Sequence, residues 1–228
     1  MSLPTSPALA EDLLLLLFDP RSGTFAGEGQ KLFHVLAGAV LVDLAVQERI
    51  EIDGRTTLKG QQVHPAGDEP PADPLLRPVW DRVADRPTDV HLLINEFGPG
   101  LRSQVLERVL ERGDITRERR RVLGILPTSS LTEGPTARRA AVLAPVRAAL
   151  VDGAEPDTRT AALGALLFAS GSLPELNRDI PWSGPVYRRG EELQKGEWGA
   201  AAAGEAVRRT VAGISASSVF VAVVAPGS

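Results

Sequence analysis

Cysteine is absent from this 228-residue chain, and histidine is scarce. The absence of cysteine excludes disulfides, thiolate metal sites and cysteine nucleophiles. The three histidines, His34, His64 and His91, stand far apart and share no metal-ligand spacing. The chain also lacks the serine nucleophile elbow, the glycine-rich phosphate loop and the paired-histidine zinc motif. We therefore predict no enzyme activity, no catalytic residue, no metal site and no cofactor.

Long hydrophobic runs are missing as well. The longest apolar stretches, residues 35–46 and 211–225, fall short of the ~20 residues that a membrane-spanning helix needs, and Asp43 interrupts the first of them. The first residues lack the basic start of a secretory signal peptide. Any membrane association is therefore expected to be peripheral, in the cytoplasm.

Composition predicts a single globular domain. The chain is 43% hydrophobic and 24% charged, which is ordinary for soluble domains and allows one sizeable core. We find no internal repeat and no long linker. The expectation is one domain over residues 1–228, with residues 1–7 flexible.

Periodicity predicts a mainly α fold, a helical bundle core surrounded by amphipathic helices with one or two short β-hairpins. A hairpin is expected over residues 49–58, because Ile50 and Ile52 alternate with acids before an Asp-Gly turn. Residues 61–73 are expected to form a loop, and Thr88 to cap a helix. The predicted helices cover residues 8–17, 30–47, 74–84, 88–96, 100–112, 135–151, 156–170, 186–194 and 199–224, the last broken near Gly213.

Charge is unevenly distributed along the chain. Residues 99–147 contain ten arginines and five acids, a net charge of +5, so that the remainder of this chain of net charge -4 carries -9. An acidic body with one basic region is typical of a protein that presents one face to an anionic surface. The alternative is that these arginines lie on solvent-exposed helix surfaces and have no binding role.

A second hairpin is predicted over residues 117–131, within the basic region. Its cationic base contains Arg117, Arg119, Arg120 and Arg121, and its apolar tip contains Gly124, Ile125, Leu126 and Pro127. Such a loop can place arginines among lipid headgroups and insert its tip into the acyl boundary. Burial of the tip within the fold is an equal alternative.

Arg102 is a further candidate for binding an anion. If a helix begins at Pro99 or Gly100, Arg102 lies in its first turn, where free backbone N–H groups and the helix dipole favour a phosphate. Helical phasing then places Arg102 at the rim of the buried face.

Several segments of the chain carry a resemblance to a known family. Apolar residues 9–18 and 39–50 each carry acidic residues, and the second segment leads directly into a short strand. The other segments are residues 110–115, 159–170 and 219–224. In this order the segments resemble the Golgi phosphoprotein 3 family of lipid-binding peripheral membrane proteins, in a bacterial-type form. The resemblance implies binding of anionic lipids, including phosphatidylinositol 4-phosphate, and self-association through hairpin 117–131.

The family's phosphoinositide pocket is only partly matched. Its four positions fall near Glu28 and at Ala37, Pro99 and Arg102, and only Arg102 keeps the family's residue type. Lys31 and His34 lie one turn from unmatched positions and are candidates to compensate; each is equally compatible with an ordinary surface role. We therefore expect little selectivity among anionic headgroups.

Two other functions remain open from the sequence. Residues 35–59 resemble a helix followed by a two-stranded wing, as in winged-helix nucleic-acid-binding proteins. The helix is too apolar to contact base edges, and the acidic body would be repelled by a duplex, so we predict no nucleic-acid partner. A protein scaffold that uses the hairpin is the other alternative.

Overall fold

In a computed structural model of the protein, the residues described are 6–53, 60–122, 126–197 and 205–216. They form a mainly α fold with small antiparallel sheets, as predicted. The elements, in chain order, are α1 (Leu9–Leu17), β1 (Phe18–Asp19), β2 (Thr24–Phe25), α2 (Gln30–Val46), β3 (Ile50–Ile52), β4 (Gln62–Pro65), α3 (Arg77–Asp85), β5 (Thr88–Asp89), α4 (Val90–Glu111), β6 (Ile115–Val122), β7 (Leu126–Glu133), α5 (Arg138–Val151), α6 (Thr158–Ala169), α7 (Gly184–Gln194) and α8 (Glu205–Ala216).

Helices α1 and α2 form the centre of the core. Every residue of α1 is buried, including Glu11 and Asp12, and α2 is buried along most of its length. A helix that is apolar on all sides requires neighbours on all sides. Helix α1 packs against α2, α4, α5 and α6, and α2 also packs against α8. The two apolar N-terminal segments therefore form the interior around which the other helices are arranged.

A tertiary hydrogen bond caps the start of α1. The helix begins after Ala8, which has no side-chain oxygen to offer, and the Leu9 N–H instead donates to Asp43 Oδ2 on α2 at 2.5 Å. Free N–H groups at a helix start need an acceptor. Burial raises the pKa of Asp43 from 3.8 to about 7, although the bond from Leu9 opposes the shift.

The first predicted hairpin is confirmed in its first strand only. Strand β3 pairs with β4, and β4 pairs with β5, so the sheet has three strands. The partner strand therefore lies in residues 62–65, which were predicted to be loop. Residues 54–59 lie outside the described residues. The Asp-Gly pattern concerns only neighbouring residues. It therefore does not predict that β4 pairs with β5 as well as with β3.

The two helices predicted over residues 88–96 and 100–112 are one continuous helix, α4, with Pro99 inside it. An interior proline costs about 3 kcal/mol or more. Both halves nevertheless pack in the core through buried residues such as Ile94 and Val105. The N-cap prediction for Thr88 was also wrong: Thr88 lies in β5, and the neighbouring Asp89 side chain accepts a hydrogen bond from the Leu92 N–H at 3.2 Å.

Helix α8 runs through Gly213 without the predicted break. A Cβ at Gly213 would lie 3.3 Å from Ile52 Cγ2 and 3.0 Å from Gln61 Oε1. The glycine therefore permits close packing of α8 on β3. The ends of the predicted helix, residues 199–204 and 217–224, lie outside the described part of the chain. The remaining predicted helices are confirmed, with boundaries that differ by up to three residues.

The raised pKa of Asp43 predicts a pH-dependent stability. Because the folded state binds a proton more tightly than the unfolded state, the free energy of unfolding should fall as pH rises from about 4 to about 7. About three pKa units correspond to at most ~4 kcal/mol. In Asp43→Asn the side-chain amide oxygen can still accept a hydrogen bond from the Leu9 N–H. The decrease in the free energy of unfolding that is due to Asp43 should disappear in this variant. Urea unfolding of both proteins across this pH range measures the difference.

Asp152→Asn is the matched control, because Asp152 is an exposed aspartate at the end of α5. It should keep the pH profile of the wild-type protein. Identical profiles for Asp43→Asn and the wild-type protein would contradict the assignment.

Candidate functional site

Among the side chains that the structure describes, six arginines between residues 99 and 147 form ion pairs with acidic side chains. Arg108 binds two acids, with its Nε 2.6 Å from Glu11 Oε1 and its Nη1 2.8 Å from Asp73 Oδ1. The other pairs are Arg102 with Glu28, Arg112 with Glu11, Arg138 with Glu11, Asp12 and Asp114, Arg139 with Asp179, and Arg147 with Asp152. The basic segment is therefore not one continuous positive face.

Glu11 is the centre of these ion pairs and is fully buried. Nitrogens of Arg108, Arg112 and Arg138 lie 2.6, 3.3 and 3.7 Å from its oxygens. No described residue donates an aligned hydrogen bond to either oxygen, so charge attraction holds the carboxylate. Burial raises the pKa of Glu11, and the three guanidinium groups oppose this shift. The cluster joins α1 to the end of α4 and the start of α5, the two elements that flank the second hairpin.

Asp114 closes the base of the second hairpin. Its carboxylate accepts hydrogen bonds from Thr136 Oγ1 at 2.6 Å and from Arg138 Nη1 at 2.8 Å. The Gly134 N–H donates to the Asp114 carbonyl at 2.9 Å. A Cβ at Gly134 would lie 1.8 Å from the Gly113 carbonyl oxygen, so a larger residue could not occupy this position without moving the backbone. The hairpin is thus anchored on both sides of its base.

The predicted hairpin is confirmed and extends from Ile115 to Glu133. Burial decreases away from its base: Ile115 is buried, whereas Arg117 and Glu118 are exposed. The β7 residues opposite the four arginines are uncharged. In the antiparallel register, the pairs are Arg117 with Leu131, Arg119 with Ser129, Arg120 with Thr128, and Arg121 with Pro127. No acid therefore lies directly across the strands from these arginines.

Two residues of the predicted apolar tip, Leu126 and Pro127, are the first residues of β7. Strand β6 ends at Val122, and β7 begins at Leu126, followed by Pro127. Gly124 and Ile125 lie outside the described residues. The sequence at this connection is apolar, whereas β6 itself is predominantly basic.

Arg102 does not lie at a helix N-terminus, and this prediction was wrong. It occupies the middle of α4, more than two turns from the first residue, Val90. A residue there has no free backbone N–H groups beside it, because the carbonyl groups of the preceding turn accept their hydrogen bonds. Any anion at this position would depend on the guanidinium alone.

Glu28 lies beside Arg102, where an anion would bind. Arg102 Nη2 is 2.5 Å from Glu28 Oε1, and the guanidinium carbon lies 5.4 Å from the centre of the Phe25 ring. Arg102 Nε is buried and has no hydrogen-bond partner among the described residues. The Arg102 and Glu28 side chains are 39% and 46% exposed, so this ion pair contributes only ~0–1 kcal/mol. Glu28 was missed as a partner because 74 residues separate it from Arg102.

Lys31 and His34 lie in the first two turns of α2. No hydrogen bond or ion pair between described residues joins either of them to Arg102. His34 instead packs edge-on against Phe33. Burial lowers the pKa of His34, while a hydrogen bond with Asn95 opposes the shift. His34 is therefore a core-edge residue here, and neither residue completes a binding pocket in this arrangement.

The winged-helix interpretation gains no support from the arrangement of α2. A recognition helix must offer an exposed face to the major groove. The middle of α2, from Val35 to Ala45, is buried on both faces, and β3 and β4 belong to a three-stranded sheet.

Of the helices in the described ranges, none has both the length and the hydropathy needed to cross a bilayer.

Comparison with known proteins identifies the family. The family model described as Golgi phosphoprotein 3 matches residues 9–210, from the first residue of α1 into α8. No curated protein matches the chain. Because the matched region covers most of the chain, including both buried N-terminal helices and the hairpin, this protein is a member of the Golgi phosphoprotein 3 family.

Proposed function

We propose that this protein is a cytoplasmic peripheral membrane protein that binds anionic lipid headgroups through the hairpin β6–β7. One observation carries the proposal. Six arginines of the basic segment are engaged by acids, whereas the arginines of β6 lie opposite uncharged residues. Within residues 99–147, the arginines that face no acid across a strand therefore all belong to one hairpin.

The magnitude of the electrostatic attraction is adequate for reversible binding. Near an anionic leaflet each arginine contributes ~1 kcal/mol, and the contribution falls off within a Debye length of about 8–10 Å. Four arginines and one glutamate lie in β6, so the strand supplies about 3 kcal/mol on this scale. Salt weakens such binding.

The apolar tip supplies a second, salt-independent contribution. Gly124, Ile125, Leu126 and Pro127 follow the arginines in sequence after Val122 and Leu123. A cationic stem that leads into an apolar tip suits the headgroup and acyl regions of a bilayer in that order. Full burial of one leucine contributes about 1.5–3 kcal/mol. The hairpin also remains our proposed surface for self-association of the chain, and an anionic membrane lipid is the proposed partner.

Arg102 is proposed as a secondary contact for a headgroup phosphate, including that of phosphatidylinositol 4-phosphate. The phosphate would replace Glu28, because a charge-assisted hydrogen bond of ~1.5–3 kcal/mol exceeds the contribution of an exposed ion pair. The contact consists of a single guanidinium and has no helix N-terminus beside it. It therefore has little means of distinguishing a phosphate at one position of the inositol ring from a phosphate at another. Lys31 and His34 would contribute only after rearrangement.

Reversing charge on the hairpin should weaken membrane binding. Arg119→Glu with Arg121→Glu changes the hairpin charge by four, and we expect partitioning onto phosphatidylglycerol vesicles to fall at least about tenfold. The control, Arg86→Glu with Arg188→Glu, makes the same change at two exposed arginines on the body. Vesicle flotation at low and physiological ionic strength measures both. Equal losses in the two variants, or equal wild-type binding to neutral vesicles, would refute the role of the hairpin.

Placing an acid at the tip should separate insertion from folding. Leu126→Asp is expected to reduce vesicle partitioning by about tenfold or more, because it removes an inserted side chain and adds a repelled charge. Its thermal midpoint should stay close to that of the wild-type protein. Leu92→Asp is the control, since Leu92 is a 57% exposed leucine on α4. Strong destabilisation of the Leu126 variant would show that the tip is part of the core.

Removing the carboxylate beside Arg102 should strengthen phosphate binding. Glu28→Gln is expected to raise affinity for vesicles containing phosphatidylinositol 4-phosphate several-fold, because Arg102 no longer has a competing anion. Arg102→Ala in the same background should abolish the gain. The gain should be similar for other phosphomonoester headgroups. If Glu28→Gln leaves affinity unchanged while the hairpin variants lose binding, Arg102 has no part in lipid binding.

A further inference from the structure

A cleft of about 590 Å³ opens beside β1. The cleft is lined by Asp19 at the end of β1, by Arg21 in the turn that follows, and by the segment after α6 with Glu175 and Arg178. Arg139 of α5 also lines it and is only 8% exposed. The volume lies within the range of ordinary small-molecule sites, about 300–1,000 Å³.

The position of Arg139 in the cleft is set by two contacts. Its Nε donates to the Phe18 carbonyl at 3.1 Å, and its Nη2 donates to Asp179. No described residue pairs with the third guanidinium nitrogen, Nη1. Guanidinium N–H groups that have no protein acceptor can donate to a ligand or to solvent. The cleft therefore contains a preorganised donor.

Two further arginines, Arg21 and Arg178, stand exposed at the edge of the cleft. Neither side chain forms an ion pair or hydrogen bond with another described residue. Both lie close enough to Asp19 to lower its pKa, although the largest cause of that shift is the hydrogen bond from the Arg21 N–H. Three arginines thus meet in one cleft with donors that the protein leaves uncommitted.

The acids of the cleft are already engaged by neighbouring donors. Asp19 accepts from the Arg21 N–H at 3.0 Å and from Ser22 Oγ at 3.0 Å, and Asp179 accepts from Arg139. Glu175 Oε2 accepts from the Gly27 N–H at 3.1 Å. Each of Asp179 and Glu175 keeps one oxygen with no donor among the described residues. These oxygens remain able to accept hydroxyl groups of a ligand.

From this arrangement we infer that the cleft is a binding site for a phosphorylated polyol. Its phosphate is held by Arg21, Arg178 and Arg139 Nη1, since guanidinium groups match phosphate oxygens in charge and geometry. Its hydroxyl groups donate to Glu175 Oε1 and Asp179 Oδ1. The polyol phosphate is either a free metabolite or the headgroup of a lipid. None of the residues that line the cleft belongs to the hairpin, so the site is distinct from the proposed contact between the hairpin and the membrane.

Calorimetric titration with glycerol 3-phosphate tests the site directly. We expect one site per chain, and we expect Arg21→Ala with Arg178→Ala to lower affinity by about tenfold or more, from the loss of charge-assisted bonds. Arg188→Ala removes an exposed arginine of α7 outside the cleft and should bind like the wild-type protein. Glycerol itself should not bind, because it offers nothing to the arginines. Both arginines replaced are exposed, and thermal midpoints will verify that the variants fold.

Flotation with phosphatidylglycerol vesicles distinguishes the two sources of the ligand. If the double variant loses glycerol 3-phosphate and also binds vesicles less tightly, the cleft takes a lipid headgroup. If it loses glycerol 3-phosphate and binds vesicles like the wild-type protein, the cleft takes a free metabolite. Absence of wild-type binding to glycerol 3-phosphate, or unchanged affinity in the double variant, would overturn the proposal. Neither of these two overturning results would affect the test of membrane binding by the hairpin.

Discussion

The buried acids of α1 are the constraint on which the rest of the structure depends. Glu11 and Asp12 lie inside the core, where a charged group without a partner is costly. Arg108 comes from α4, Arg138 from α5 and Arg159 from α6, so that one pair of adjacent acids connects α1 to three other helices. Losing one partner of a buried pair typically costs about 3–5 kcal/mol. These ion pairs therefore specify how the outer helices are arranged around α1.

The same constraint separates structural from surface arginines. Residues 99–147 are strongly basic in sequence, yet Arg108 and Arg138 neutralise acids within the core. The arginines of β6 lie beyond the anchored base of the hairpin, opposite uncharged residues. A protein with an acidic body can thus carry one cationic projection without a large basic face. For the membrane contact that we propose, this division favours one that is small, local and sensitive to salt.

Local patterns predicted most helices because hydrophobic periodicity is a local property. Helices α1, α2, α5, α6 and α7 were recognised from their apolar spacing, and the second hairpin from its composition. Helix α4 was divided because Pro99 signals a boundary, whereas packing on both sides of Pro99 keeps the helix continuous. The error moved Arg102 from a helix interior to a helix start and gave it free backbone N–H groups that it does not have.

The sequence by itself determined the mainly α fold, the two buried N-terminal helices, the basic hairpin and the resemblance to the family. These properties follow from apolar spacing, strand composition and the order of segments along the chain. Only the tertiary structure decided which arginines are neutralised, that Glu28 lies against Arg102, and that Arg21, Arg139 and Arg178 share a cleft. The reason is physical: an ion pair depends on distance in space, and Arg102–Glu28 and Arg159–Asp12 join residues 74 and 147 positions apart.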